Sequence, residues 1–273
     1  MAFCALSEAK GMDIKMKTLI KYELRISRKT LLIWMGMVLL LCGFAYFEYL
    51  SLRDMMDDLM GLVNSFPEIL KITFGVTGDL TTALGWYGCM YFWIATLDFS
   101  YAVYLGITCV MKEKERGTAE YLFTKPASRS QIVLAKAEAC TLNLLILSTF
   151  SGLCNYFTAI VPFGGLKTFP ATILGLFLTE LVLFSLALLL AALVKSYREA
   201  VRAGTVLLLI FYGLYIAADC LKVPALYYFT PLKYFDVYTV ATEGFSLFFL
   251  LIAAVLILLS ITVAKKVWVS REV

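Results

Sequence analysis

The 273-residue sequence contains no histidine at all. Ser-His-Asp and Cys-His triads, and zinc sites built on imidazole, are therefore impossible within this chain. It also lacks a G-x-x-x-x-G-K-[ST] run, the loop whose backbone amides cradle nucleotide phosphates, so it has no P-loop of its own. Gly75, Gly78 and Gly85 are followed by no suitable lysine and read as turns. Charge is scarce: 16% of residues are Asp, Glu, Lys or Arg, against about 25% in a soluble domain. The seven cysteines include no C-x-x-C pair. Cys42, Cys89, Cys109, Cys140 and Cys154 fall in apolar runs, where thiols pack as small hydrophobes, while Cys4 and Cys220 have no obvious partner. No structural disulfide is implied. Residues 1–15 hold charges but no apolar stretch of signal-peptide length, so the first long run is expected to be the insertion signal.

What fills the chain instead is apolar sequence, 61% of residues, with a mean hydropathy of +0.84. It is concentrated in six runs: Thr30–Leu50, Leu84–Met111, Ile132–Val161, Phe169–Val194, Ala203–Ala218 and Phe245–Ala264. Crossing a bilayer takes roughly 20 such residues as a helix, and the fifth run is the shortest. The reading is an all-α integral membrane protein with six transmembrane helices. Residues 1–29 form an N-terminal extension and interfacial helix, 30–264 the six-span domain and 265–273 a tail; no separate soluble domain fits. Nineteen of the 24 Lys and Arg residues fall on the side that holds both termini, and only Arg53, Lys71, Lys167, Lys222 and Lys233 fall on the other. The positive-inside rule makes both termini cytoplasmic in a multi-pass protein of the cell membrane. The net charge of +4 reflects this asymmetry and not a nucleic-acid surface.

Two polar stretches on the cytoplasmic side carry pattern. Lys17, Lys21, Arg25 and Arg28 recur at i, i+4, i+8 and i+11, with Met16, Leu19, Ile20 and Ile26 on the opposite side. That spacing predicts an interfacial helix with its cations at lipid headgroups. Glu23 falls on its apolar side and requires a partner. The second stretch, Lys112–Gln131, is a polar island between the second and third runs. Thr118 is placed to cap a short helix displaying Tyr121, Leu122 and Phe123, and Pro126 ends it. Ser128 and Gln131 form an S-x-x-Q capping box that launches the third span. Three adjacent large apolar residues in a charged loop are costly in water, so they are expected either to fill a partner's groove or to dip back into the interface.

On the other side, Ser51–Ala83 has helical spacing at Met55, Met56, Leu59, Met60 and Val63, with a break at Asn64–Pro67. Asp219–Glu243, with Pro224, Pro231 and several tyrosines, suggests an aromatic-lined turn. Two carboxylates lie well inside spans: Asp98 and Glu180. Insertion scales put an Asp at mid-membrane at about +2.5–3.5 kcal/mol, so such groups face a cavity or a polar partner. No Lys or Arg lies at their depth, leaving tyrosine, serine, threonine, Asn155, a substrate, or a protonated bond between helices. Asn143 and Asn155 are expected to bond between helices. On residues alone, Asp98 and Glu180 also suit an ion-coupled secondary carrier, although no inverted repeat is visible. A membrane-embedded lipid-modifying enzyme is a further alternative.

The run Glu115-Arg-Gly-Thr-Ala-Glu-Tyr-Leu-Phe-Thr-Lys-Pro-Ala-Ser-Arg, followed by Ile132 and Lys136, resembles the coupling segment of type 2 ABC exporter permeases. The resemblance extends to the N-terminal interfacial helix with Glu23, to Phe66-Pro-Glu-Ile-Leu-Lys and to Pro231-Leu-Lys-Tyr-Phe-Asp. With no fused ATPase and no large outer domain, the chain is more similar to bacitracin-type and copper-enzyme-maturation permeases, which are bacterial, than to sterol-type half-transporters. The resemblance implies a six-span permease that pairs with a second permease and two cytoplasmic ATPase subunits, on which ATP and Mg are held. This chain then needs no cofactor or metal and performs no catalysis itself. It also implies ATPase docking by Glu115, Gly117, Thr118, Pro126, Ser128 and Arg129, with Tyr121, Leu122, Phe123 and Glu23 joining them. Asp98 and Glu180 become candidate residues of the substrate pathway.

Overall fold

The computed structural model describes residues 2–116 and 129–270, with side chains over 17–111 and 132–268. The first element, α1 (Ala2–Leu52), is one unbroken helix of 51 residues. The expected interfacial helix and the first span are therefore continuous. Nothing between them breaks a helix: the range holds no proline, and no glycine lies between Gly11 and Gly36. At 1.5 Å per residue, α1 is about 75 Å long, far more than the roughly 30 Å hydrocarbon layer, so its cationic N-terminal part extends beyond lipid.

A tight turn at Arg53–Met55 leads to two short helices, α2 (Met56–Asn64) and α3 (Glu68–Thr73), separated at Pro67 as the sequence indicates. The second span is α4 (Ala83–Arg116) and the third α5 (Arg129–Asn155), which runs on through a wide π-type turn, Tyr156–Ile160, and a tight one, Val161–Phe163. The fourth is α6 (Phe169–Leu193) and the fifth α7 (Tyr197–Leu221). The fifth span is longer than its apolar run because Ser196 starts it with a capping box: Glu199 N–H donates to Ser196 Oγ at 3.2 Å, and Ser196 N–H to Glu199 Oε2 at 3.3 Å. Two proline-led turns, Pro224–Tyr228 and Pro231–Lys233, precede α8 (Val237–Thr242), and α9 (Leu247–Ser270) is the last span. The structure is an all-α integral membrane protein whose six long helices have the length and composition to cross a bilayer.

α6 is the hub of the bundle. Its sequence is apolar on every side, and it packs against α4, α5, α7, α8 and α9. The α4–α6 contact is the most extensive, followed by α1–α5. A small residue sets the α4–α6 distance: Gly106 of α4 sits against the Phe184 carbonyl, the Ala187 methyl and the Leu188 nitrogen of α6. Hydrogen bonds cross between spans where tyrosines reach hydroxyls, Tyr87 to Thr172 at 2.8 Å and Tyr212 to Thr96 at 2.7 Å. The outer sides of α1, α7 and α9 remain apolar and exposed, with Leu40, Phe47, Leu209, Leu251 and Leu258 among the most open. Lipid is the solvent that tolerates such a surface.

The face opposite the termini is capped. Met56 and Val63 of α2 bury against Tyr49, Trp86 and Phe163, so these methionine-helix residues pack as ordinary core. Lys233 Nζ lies 2.8 Å from Asp219 Oδ2, 3.3 Å from Asp236 Oδ1 and 4.2 Å from the Tyr215 ring centroid. Burial works against the Lys233 charge, but Asp236 and Asp219 outweigh it and raise its pKa above the ordinary lysine value. A raised lysine pKa means a stabilising contribution that is complete at neutral pH and lost only as pH rises through the raised value.

Candidate functional site

Two sites follow from the bundle. The first is at the end that carries both termini, where α4 leaves at Arg116 and α5 returns at Arg129. Most of the residues expected to dock an ATPase lie between them: Gly117, Thr118, Tyr121, Leu122, Phe123, Pro126 and Ser128 are outside the described residues, as is the short helix expected there. Glu115 and Arg129 belong to the ends of α4 and α5, with side chains outside the described set.

Glu23 is described, and it has the partner its position demanded. Lys136 Nζ, on the first turns of α5, stands 3.3 Å from Glu23 Oε1, with the lysine side chain only 6% exposed. Two turns further along α5, Asn143 Nδ2 donates to Ser27 Oγ at 2.8 Å. These contacts fasten the N-terminal part of α1 to α5 beside a small cavity of about 40 Å³ that also touches Cys109 and Cys140. Asn143 thus bonds between helices as expected, whereas Asn155 does not: its Nδ2 donates to the Ser151 carbonyl within α5 at 3.0 Å. The Ser151 carbonyl, one turn back on the same helix, is the acceptor within its reach. Glu23 was legible as an acid seeking a partner; Lys136 as that partner was not, because nothing in a one-dimensional spacing pairs residues 113 apart.

The second site is at mid-bundle. Asp98 of α4 and Glu180 of α6 are both fully buried. Glu180 Oε2 accepts from Ser148 Oγ of α5 at 2.7 Å, and Asp98 faces Ser151 and Cys154 of the same helix. Asp98 and Glu180 interact electrostatically, so the two helices do bring the carboxyl groups into one neighbourhood. The structure places them in the closed interior of one protomer and not along an open channel. A separate cleft of about 600 Å³ opens on the capped face, lined by Glu68, Lys71, Asp79, Asp219, Lys222 and Tyr227 among others. Its rim is tied by Lys222 to Glu68 at 3.1 Å. The sequence reading missed both this cleft and the Lys233 cluster; only the Lys233–Asp236 spacing of three hinted at the latter.

The arrangement is a bundle without catalytic constellation among the described residues, closed by an ion-paired latch, Lys136–Glu23, at the end that carries both termini. The family model for ABC-2 family transporter proteins matches residues 17–246, which takes in the latch, all the packed spans but the last, and both carboxylates. This chain is a member of that family. No curated protein matches it. As an ABC-2 permease it is the membrane component of a transporter. The match begins at Lys17, where the cationic stripe of α1 begins.

The latch makes a direct prediction. Removing one partner of a largely buried pair leaves the other charge uncompensated, at about 3 kcal/mol for a site where Glu23 stays partly exposed. Lys136→Met is expected to lower the thermal midpoint of the purified ABC-2 permease, and Glu23→Gln added to it is expected to restore most of the loss. Additive losses in the double variant would show that the two groups do not pair.

Proposed function

We propose that this ABC-2 permease is the membrane half of an ATP-driven exporter in the cell membrane of a bacterium. Two cytoplasmic ATPase subunits supply the energy, and a second permease completes the pathway. ATP and Mg reside on the ATPases, in keeping with a chain that has no P-loop. The observation that carries the reading is the membership over residues 17–246 together with the latch. Thr118–Phe123 dock in an ATPase groove, and Glu115, Gly117, Pro126, Ser128 and Arg129 shape that segment. A push there moves the ends of α4 and α5, and the Lys136–Glu23 and Asn143–Ser27 contacts carry it into α1. Glu23 then acts as a link inside the permease more than as part of the docking surface.

The substrate is an amphipathic molecule, a peptide antibiotic or lipid-like compound. Support comes from the aromatic-rich spans, the few fixed charges at depth, and the exposed apolar sides of α1 and α7. Those sides suit a second permease and membrane lipid.

Both termini and the 112–131 island are cytoplasmic in this reading. Cysteines engineered at Asp57 and Lys125 are expected to differ: an impermeant reagent applied to whole cells labels the first and spares the second. Labelling of Lys125→Cys from outside would reverse the orientation and remove the docking role. Affinity purification of the permease from its own cells, followed by assay for a P-loop ATPase in the eluate, tests the partnership; a permease that transports its substrate without any ATPase contradicts it.

A further inference from the structure

The cleft on the capped face gathers charges of both signs from separate parts of the chain. Glu68 and Lys71 come from α3, Asp79 from the turn before α4, and Asp219 and Lys222 from the end of α7, all around one volume of about 600 Å³. Met60, Ile72 and Val76 give it an apolar wall. Asp219 is already held by Lys233 at 2.8 Å. Glu68 and Lys222 pair at 3.1 Å with both side chains more than half exposed, so that contact opens at little cost. Two charges are uncommitted. Among the described residues, Lys71 Nζ has no ion-pair or hydrogen-bond partner. Asp79 Oδ1 accepts from Thr81 N–H at 2.9 Å and from Thr81 Oγ at 2.8 Å, which leaves Oδ2 open to a ligand. Those two bonds hold the Asp79 pKa below the ordinary aspartate value, so it is an anion at neutral pH.

The other side of the same segment is apolar. Leu62, Phe66, Ile69, Leu70 and Phe74 recur at helical spacing from α2 to the end of α3, and all are exposed. Large apolar side chains so exposed are costly in water. They suit the boundary between headgroups and acyl chains, where an amphipathic segment lies with its apolar face in the chains. Glu68, Lys71 and Ile72 turn into the cleft instead. The cleft therefore opens at headgroup depth, in the leaflet opposite the termini. A free cation and a free anion around one volume match a ligand that carries one charge of each sign, a phosphate for Lys71 and a primary ammonium for Asp79. A short zwitterionic peptide offers similar charges but no chains to lie along the exposed apolar side.

We propose that this cleft binds the headgroup of a zwitterionic aminophospholipid. Lys71 takes the phosphate, Asp79 takes the ammonium, and the acyl chains lie along the apolar side of α2 and α3. This goes beyond the exporter reading and does not depend on it, since it concerns a lipid of the surrounding leaflet whatever the cargo.

The test titrates the purified full-length permease in detergent with phosphatidylethanolamine, phosphatidylcholine or phosphatidylglycerol of identical chains, and counts bound lipid by native mass spectrometry. Phosphatidylethanolamine is expected to bind saturably and about tenfold more tightly than the other two. The quaternary ammonium of phosphatidylcholine cannot donate to Asp79, and phosphatidylglycerol has no cation. Lys71→Gln and Asp79→Asn should each weaken phosphatidylethanolamine about tenfold by removing a charge-assisted bond. Lys167→Gln, on the same face but outside the cleft lining, should leave it unchanged. Neither Lys71 nor Asp79 is buried, so both variants are expected to fold, and the wild-type lipid preference decides independently of them. Equal binding of the three lipids, or unchanged binding in both cleft variants, overturns the proposal. So does an equal affinity for O-phosphoethanolamine, which would make this a site for a soluble phosphoester. Displacement of the lipid by equimolar trialanine overturns it as well, by putting a peptide there.

Discussion

Gly106→Leu is expected to abolish accumulation of the folded permease. A Cβ at residue 106 would lie 2.5 Å from the Phe184 carbonyl oxygen, 2.7 Å from Ala187 Cβ and 2.9 Å from the Leu188 nitrogen. Two of those atoms are backbone and the third is a methyl fixed to it, so no rotamer change makes room. The α4 and α6 helices must separate along their most extensive interface, where Ala102, Ala187 and Ala191 are already fully buried. Overpacking a dense core costs typically about 1–3 kcal/mol, and more where the backbone must move. Gly106→Ala is expected to be intermediate. Gly213→Ala is the control, since a Cβ there meets nothing within 4 Å, and it should be neutral or slightly stabilising. Size-exclusion profiles and thermal midpoints in detergent separate the three. A Gly106→Leu protein with the wild-type profile and midpoint would mean that α4 and α6 do not pack as described.

The same interface explains what was and was not legible in the sequence. The six spans were readable because lipid demands long apolar runs, and α2 and α3 because their apolar spacing and Pro67 are local signals. The continuity of α1 was not: a change from cationic stripe to apolar run looks like a boundary in composition, yet the backbone responds only to breakers, and none lies there. Tyr197–Leu221 exceeded its apolar run for the complementary reason, a cap at Ser196 that overrides hydropathy. Asp98 and Glu180 stood out as misplaced charges, but their common neighbourhood depends on the α4–α6 approach that Gly106 permits, which spacing does not encode. Lys136 and Lys233 found their partners through helix packing and loop closure, which are equally non-local. The segment expected to dock the ATPase lies outside the described residues.

The central claim is that separate ATPase subunits drive this permease through the segment between α4 and α5, and Leu122→Asp tests it most directly. If Tyr121, Leu122 and Phe123 fill a groove, an aspartate at 122 buries an unpaired charge there, a change that removes most of the affinity of a small apolar contact. Residue 122 falls in the polar stretch between the second and third apolar runs of the sequence, so the variant permease should insert, purify and unfold like the wild type. Reconstituted with its ATPase partner, the variant is predicted to lose substrate-stimulated ATP hydrolysis and ATP-driven export together. Unchanged hydrolysis and export in a complex carrying Leu122→Asp would contradict the account.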